Sequence, residues 1–164
     1  MSNYAYVATR ARSRRSRLLP AEAYNQLLNL EHAEIARYIQ DLEYRREIDR
    51  YGSTLSGADL IETALVDNLA KDVGDFLSFS KGKLRDILHV YAEKYRIENL
   101  KNIVRGINQN MDKQNLERLV CPINDSDKEL YNKLYDSKTV EDMVSSLEGT
   151  SYYNPLKKAL EARN

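Results

Sequence analysis

The sequence predicts an all-α fold, a multi-helix assembly without a significant sheet, and three observations carry that prediction. Six Gly and three Pro in 164 residues leave few places where the chain must turn sharply. Leu, Ala, Glu, Lys and Arg, which give up little side-chain freedom in a helix, dominate the composition. No strand-like alternation and no Asn-Gly or Asp-Gly hairpin signal occurs along the chain.

The elements follow in order. A first helix is expected to end near Leu19, because Pro20 cannot continue it and suits the first turn of the next. Ala21–Leu30 and Ala33–Leu42 carry apolar residues three and four apart, and Tyr51-Gly52-Ser53-Thr54 reads as a loop. Ser56-Gly57-Ala58-Asp59 has capping-box spacing and is expected to open a helix burying Ile61, Leu65, Leu69, Val73 and Phe76. That helix should end near Ser78–Lys81, with Ser80 capping its successor.

Lys83–Asn108 carries Leu84, Ile87, Leu88, Tyr91 and Tyr95 on one face, then Ile97, Leu100, Ile103, Val104 and Ile107 on another, roughly opposite. A continuous helix would pass between two packing layers or join two lobes, whereas a break near Arg96 would give two short, ordinarily buried helices. Cys121-Pro122 interrupts the pattern. Ser126-Asp127-Lys128-Glu129 and Thr139-Val140-Glu141-Asp142 have capping-box spacing, the first opening a helix to about Tyr135. Asn154-Pro155 supplies a cap and a first-turn proline before Leu156–Ala162. No stop signal follows before Asn164, which fits a chain cut from a longer protein.

Composition excludes several classes. At 42% hydrophobic and 30% charged, the chain is too apolar for a disordered tail and can build one core, with room for a second small lobe. Its apolar runs are far shorter than the roughly 20 residues of a membrane helix, so no bilayer crossing is expected. Cys121 is the single cysteine, which precludes an internal disulfide and fits a reducing compartment. A small buried residue describes it better than a nucleophile does.

Net charge is zero but unevenly spread: residues 1–19 hold five arginines and no acid, leaving 20 bases against 25 acids beyond. An Arg- and Ser-rich, acid-free start is also the composition of a mitochondrial transit peptide. Tyr4, Tyr6, Val7 and Leu18 among the arginines favour a folded helix with a basic face. Arg10, Arg14 and Arg17 lie near one side of it by their spacing and form a candidate interface. Such a cluster could bind phosphate backbones, and a helical nucleic-acid or regulatory binding module is the alternative functional reading. The acidic remainder, with no recognisable nucleic-acid module, argues against nucleic acid as a partner. The 12 Tyr against two Phe and no Trp suit half-wet contact surfaces.

No catalytic constellation emerges, and no catalytic, cofactor-binding or metal-ligating residue is expected. The glycines are scattered and form no phosphate-cradling loop. His32 and His89 lack partners at ligand spacing, while a metal site needs three or four convergent ligands. Asp72/Asp75 and Glu141/Asp142 read as solvated helix faces, and no serine has an arguable base beside it.

The opening Tyr4-Ala5-Tyr6-Val7-Ala8-Thr9-Arg10-Ala11-Arg12, followed by Leu18-Leu19, resembles the start of the C subunit of archaeal A-type ATP synthases, whose vacuolar relative is the d subunit. Tyr24-Asn25-Gln26-Leu27-Leu28, Ile35-Ala36-Arg37-Tyr38-Ile39 and Asp41-Leu42-Glu43-Tyr44 are similar to that family's early helices. Ile97-Glu98-Asn99-Leu100-Lys101-Asn102-Ile103-Val104-Arg105 is similar to its recurring helix, in which an acid and Asn precede a Lys and an apolar pair. Members are usually about twice as long, so the chain corresponds to an N-terminal portion or an unusually short relative.

The resemblance implies a funnel-like protein of similar helical domains, here an N-terminal domain over 1–95 and the start of a second, similar lobe over 96–164. It implies a non-catalytic central-stalk subunit of an A/V-type ATP synthase, without a cofactor. Its partners would be the central shaft subunits and the membrane rotor ring, between which it passes torque for proton or sodium transport. Its place would be peripheral, on the cytoplasmic side of the cell membrane.

Overall fold

The computed structural model describes residues 3–162. Ten helices and no strand occur among them, an all-α fold as the composition predicts. The chain groups into two compact units, residues 1–91 and 92–164.

The first unit contains α1 (Tyr4–Arg15), α2 (Ala21–Leu27), α3 (His32–Gln40), α4 (Arg45–Tyr51), α5 (Gly57–Phe79) and the opening of α6 (Lys83–Asn108). α1 stops at Arg15, four residues short of the expected Leu19: Arg17 and Leu18 close i→i+3 turns on the carbonyls of Arg14 and Arg15. α3 begins with a reciprocal cap between Glu31 and Glu34, in which the Glu31 amide donates to Glu34 Oε2 at 2.9 Å. α3 and α4 pack on the first half of α5, burying Ala36, Ile39, Ile48, Leu60 and Ala64, with Tyr38, Tyr44 and Tyr51 around them.

Ser56 does precede α5, but its side chain makes no cap hydrogen bond, so the expected box is not formed. The buried stripe of α5 is also turned from the expected one: Leu60, Ala64, Ala70, Val73 and Leu77 face inward, while Leu65 is 38% and Leu69 44% exposed. Ser80 ends α5 rather than capping α6. Gly82, at φ +57°, makes the reversal into α6 with a backbone that side-chain-bearing residues rarely adopt.

α6 is continuous, settling the two alternatives for Lys83–Asn108 in favour of one helix. Only its later face is deeply buried, and not at every expected position: Leu100, Ile103 and Ile107 are core, while Ile97 is 43%, Ile87 62% and Tyr91 53% exposed. The second unit adds α7 (Lys113–Arg118), α8 (Asp125–Leu134), α9 (Val140–Ser145) and α10 (Tyr153–Glu161). Asn110, with φ 54°, takes the left-handed turn that ends α6, and the Gly106 carbonyl accepts from both Gln109 and Met111 amides.

The caps of this unit are Asp112, Asn124 and Thr139, each accepting the amide three residues on. α8 is therefore opened by Asn124, not by Ser126, and α10 begins at Tyr153 with Asn154 and Pro155 already inside its first turn. The core gathers Leu116, Val120, Tyr131, Leu134, Tyr135, Met143 and Leu147 around the buried face of α6.

Candidate interaction surfaces

Helix α1 presents the arginines, and each of the three singled out by spacing has a distinct environment. Arg14 reaches Asp72 at 2.5 Å and Asp75 at 2.6 Å, both on α5, with its guanidinium 5.1 Å from the centre of the Phe76 ring. Arg10 lies over Tyr6 and Phe79, at 5.4 and 5.3 Å from the ring centres, and donates to the Tyr6 hydroxyl. Arg17 pairs with Glu43 at 3.1 Å on the surface. Asp72 and Asp75, read from sequence as a solvated face, are thus the acceptors of an inter-helix clamp. Burial alone would raise the Asp75 carboxyl, but hydrogen bonds from Arg14 and Lys71 outweigh it and hold it below its usual value.

The second unit contains a polar network that no local spacing announces. Arg96 on α6 donates through Nε to Asp127 on α8 at 2.9 Å and through a terminal nitrogen to Glu93 at 2.5 Å. Burial works to lower the Arg96 pKa, and the bonds to Glu93 and Asp127 more than reverse it. Glu93 in turn accepts from the Tyr152 hydroxyl, tying in the approach to α10. Asp127 also accepts the Ile123 amide at 3.2 Å. One turn along α6, Asn99 exchanges hydrogen bonds with the Cys121 backbone, donating to its carbonyl at 2.9 Å and accepting its amide at 3.3 Å. The Asn99 amide also reaches the hydroxyl of Tyr131, which is 1% exposed. Cys121 itself is half-buried and serves this unit through its backbone.

Burial pushes the Tyr131 hydroxyl up to about 12, and Tyr135 and Tyr152 are also raised, burial again leading. For each, the folded value lies above the unfolded value of 10.0, so the folded state holds its proton longer. Their contribution to stability is complete below pH 10 and is lost as pH rises from about 10 towards 12 and beyond. An alkaline titration followed by tyrosinate absorbance and circular dichroism should show late-titrating tyrosines ionising together with loss of helix. A single ionisation step near pH 10 with the helix intact would contradict this packing.

Apolar side chains also reach the surface of the first unit. A shallow groove is lined by Ile35, Ala58, Ile61, Leu65 and Val66, with His32 and Glu62 at its polar margin. On α6, Ile87 and Val90 are 62% and 74% exposed. Scattered apolar exposure is ordinary, but a groove lined mainly by apolar side chains is a surface suited to contact. Among the described residues, no group of three His, Cys, Asp or Glu side chains could hold a metal ion, and no helix is long and apolar enough to cross a membrane.

Comparison with known proteins supplies what geometry alone does not. The ATP synthase (C/AC39) subunit family matches residues 7–164. The A-type ATP synthase C subunit of Haloferax volcanii is 38% identical over 98% of this chain and 46% of its own length. That of Archaeoglobus fulgidus is 36% identical over 94% of the chain and 45% of its own, and that of Methanosarcina mazei 34% over 96% and 44%. The chain spans a little under half the length of these curated relatives. Identity of this level across nearly the whole chain, on an all-helical fold, shows that the chain belongs to the ATP synthase (C/AC39) subunit family.

Proposed function

We propose that the chain works in a non-catalytic central-stalk subunit of an A/V-type ATP synthase, linking the rotary shaft to the membrane rotor ring and passing torque for ion transport. The observation that carries the reading is the 38% identity to an A-type ATP synthase C subunit over 98% of the chain. The physical character of the structure is in keeping with it. Capped helices around packed cores make stiff bodies, and torque transfer needs stiffness and broad contact rather than a reactive group. The apolar groove beside Leu65 and Val66 is the surface assigned to that contact. Of the candidate interface residues Arg17, paired with Glu43 on the surface, is the one placed to join it, while Arg10 and Arg14 are engaged by Phe79, Asp72 and Asp75. The division into an N-terminal domain over 1–95 and the start of a similar lobe over 96–164 belongs to the same proposal, as does a peripheral position on the cytoplasmic side of the membrane.

The test is co-purification. Full-length protein carrying an affinity tag should retain the central shaft subunits and the rotor ring from gently solubilised membranes. Retention of neither partner by folded, full-length protein would remove the reading.

A further inference from the structure

α1 is attached to its unit differently from its neighbours. Of its 12 residues only Val7 is buried, whereas α3 and α4 are held by a shared apolar core. Apart from Val7 and an edge-on contact of Tyr6 with Phe79, what fastens α1 is polar and strongest at its two ends. At the start, the Asn3 side chain accepts the Lys81 amide at 3.0 Å and donates to the Phe79 carbonyl, bridging the turn that closes α5. Near the other end, Arg14 grips Asp72 and Asp75. Between these points the only two phenylalanines of the chain, Phe76 and Phe79, lie under the guanidinium groups of Arg14 and Arg10.

The seat beneath is itself under-satisfied. Ser80, 1% exposed, has a buried hydroxyl with no hydrogen-bond partner among the described residues, at the position bridged by Asn3. An unpaired buried hydroxyl costs free energy, which lowers the local resistance to opening.

We propose that α1 is a releasable strap, held along the last turns of α5 by an ionic clamp at Arg14 and an amide bridge at Asn3. Its release uncovers an acidic and aromatic strip of Asp72, Asp75, Phe76 and Phe79. That strip is built for a cationic helix, and α1 of the same chain is its occupant. Charge-assisted contacts near the surface weaken as salt rises, while apolar burial does not, so ionic strength is the lever that separates strap from core. The inference does not depend on the torque reading, because it concerns the first unit alone.

Amide hydrogen exchange on the full chain tests it. Raising sodium chloride from 0.05 to about 1 M should speed exchange across α1 about tenfold, while α3 and the first half of α5 stay within about twofold. Arg14→Ala should give the same local pattern at low salt, and Asn3→Ala should loosen both the start of α1 and residues 79–83. Unchanged α1 exchange in high salt would overturn the strap. So would α1 and α3 loosening in parallel, since α1 would then be an integral part of the core. Should Arg14→Ala prevent folding, the wild-type salt series and Asn3→Ala decide between these outcomes.

Discussion

Replacing Arg96 with methionine is expected to destabilise the second unit by about 2–3 kcal/mol, at or below the lower end of the range for breaking one side of a buried ion pair because Arg96 is only part-buried. The side chain of Asp127 is 9% exposed, against 38% for Glu93. When the guanidinium is removed, Glu93 can rehydrate, but Asp127 is left as a charge without a counterion in a dry setting. The carboxylate cannot simply turn outward, because it also accepts the Ile123 amide that shapes the entry to α8. Urea unfolding of the full chain followed by circular dichroism measures the loss. Combining Arg96→Met with Asp127→Asn should recover part of it, since the second change removes the stranded charge. A single-variant loss under about 0.5 kcal/mol, the scatter of surface substitutions, would mean the network is not formed as described.

Leu134→Ala should cost about 2–5 kcal/mol, the sum of lost apolar transfer and the cavity left behind. Leu134 is 0% exposed and lies in the cluster with Ile103, Tyr131 and Leu147. Ile103 is stiff at its first torsion and Tyr131 is a rigid ring, so the site collapses poorly and the cost falls in the upper part of that range. Leu28 is a matched control at 82% exposure, where the same truncation should stay within about 0.5 kcal/mol. The comparison reads burial directly, because chemistry and volume removed are identical. A loss below about 1 kcal/mol at Leu134 would place it outside a tightly packed core.

Much of this fold was legible from residue pattern, and the shortfalls have physical causes. The later face of α6 was readable because Leu100, Ile103 and Ile107 are large apolar residues at helical spacing. The buried face of α5 shares Val73 with the expected one but otherwise lies a position away, because periodicity gives weight to bulky side chains. Here the small Ala64 and Ala70 point inward beside Leu60, Val73 and Leu77. α4 has no readable apolar pattern because Arg45-Arg46-Glu47-Ile48-Asp49-Arg50-Tyr51 is mostly charged, and packing against α5 supplies its order.

The arginines of α1 show the same division. Their spacing marked a basic face, but nothing local could say that Arg14 meets carboxylates 58 and 61 residues away. Arg96 and Asp127 are 31 residues apart and carry no motif. Asn99 did stand inside a segment that resembled the family, yet its partners are a backbone turn and a tyrosine hydroxyl. Those contacts exist only after folding.

The seam between the units, at Tyr91 and Ala92, falls within α6 and not in a loop. Exposed flexible linkers are where proteases cut and where domains are usually separated. Excising either unit as a fragment means severing a helix in mid-course and leaving its freed amides and carbonyls without partners.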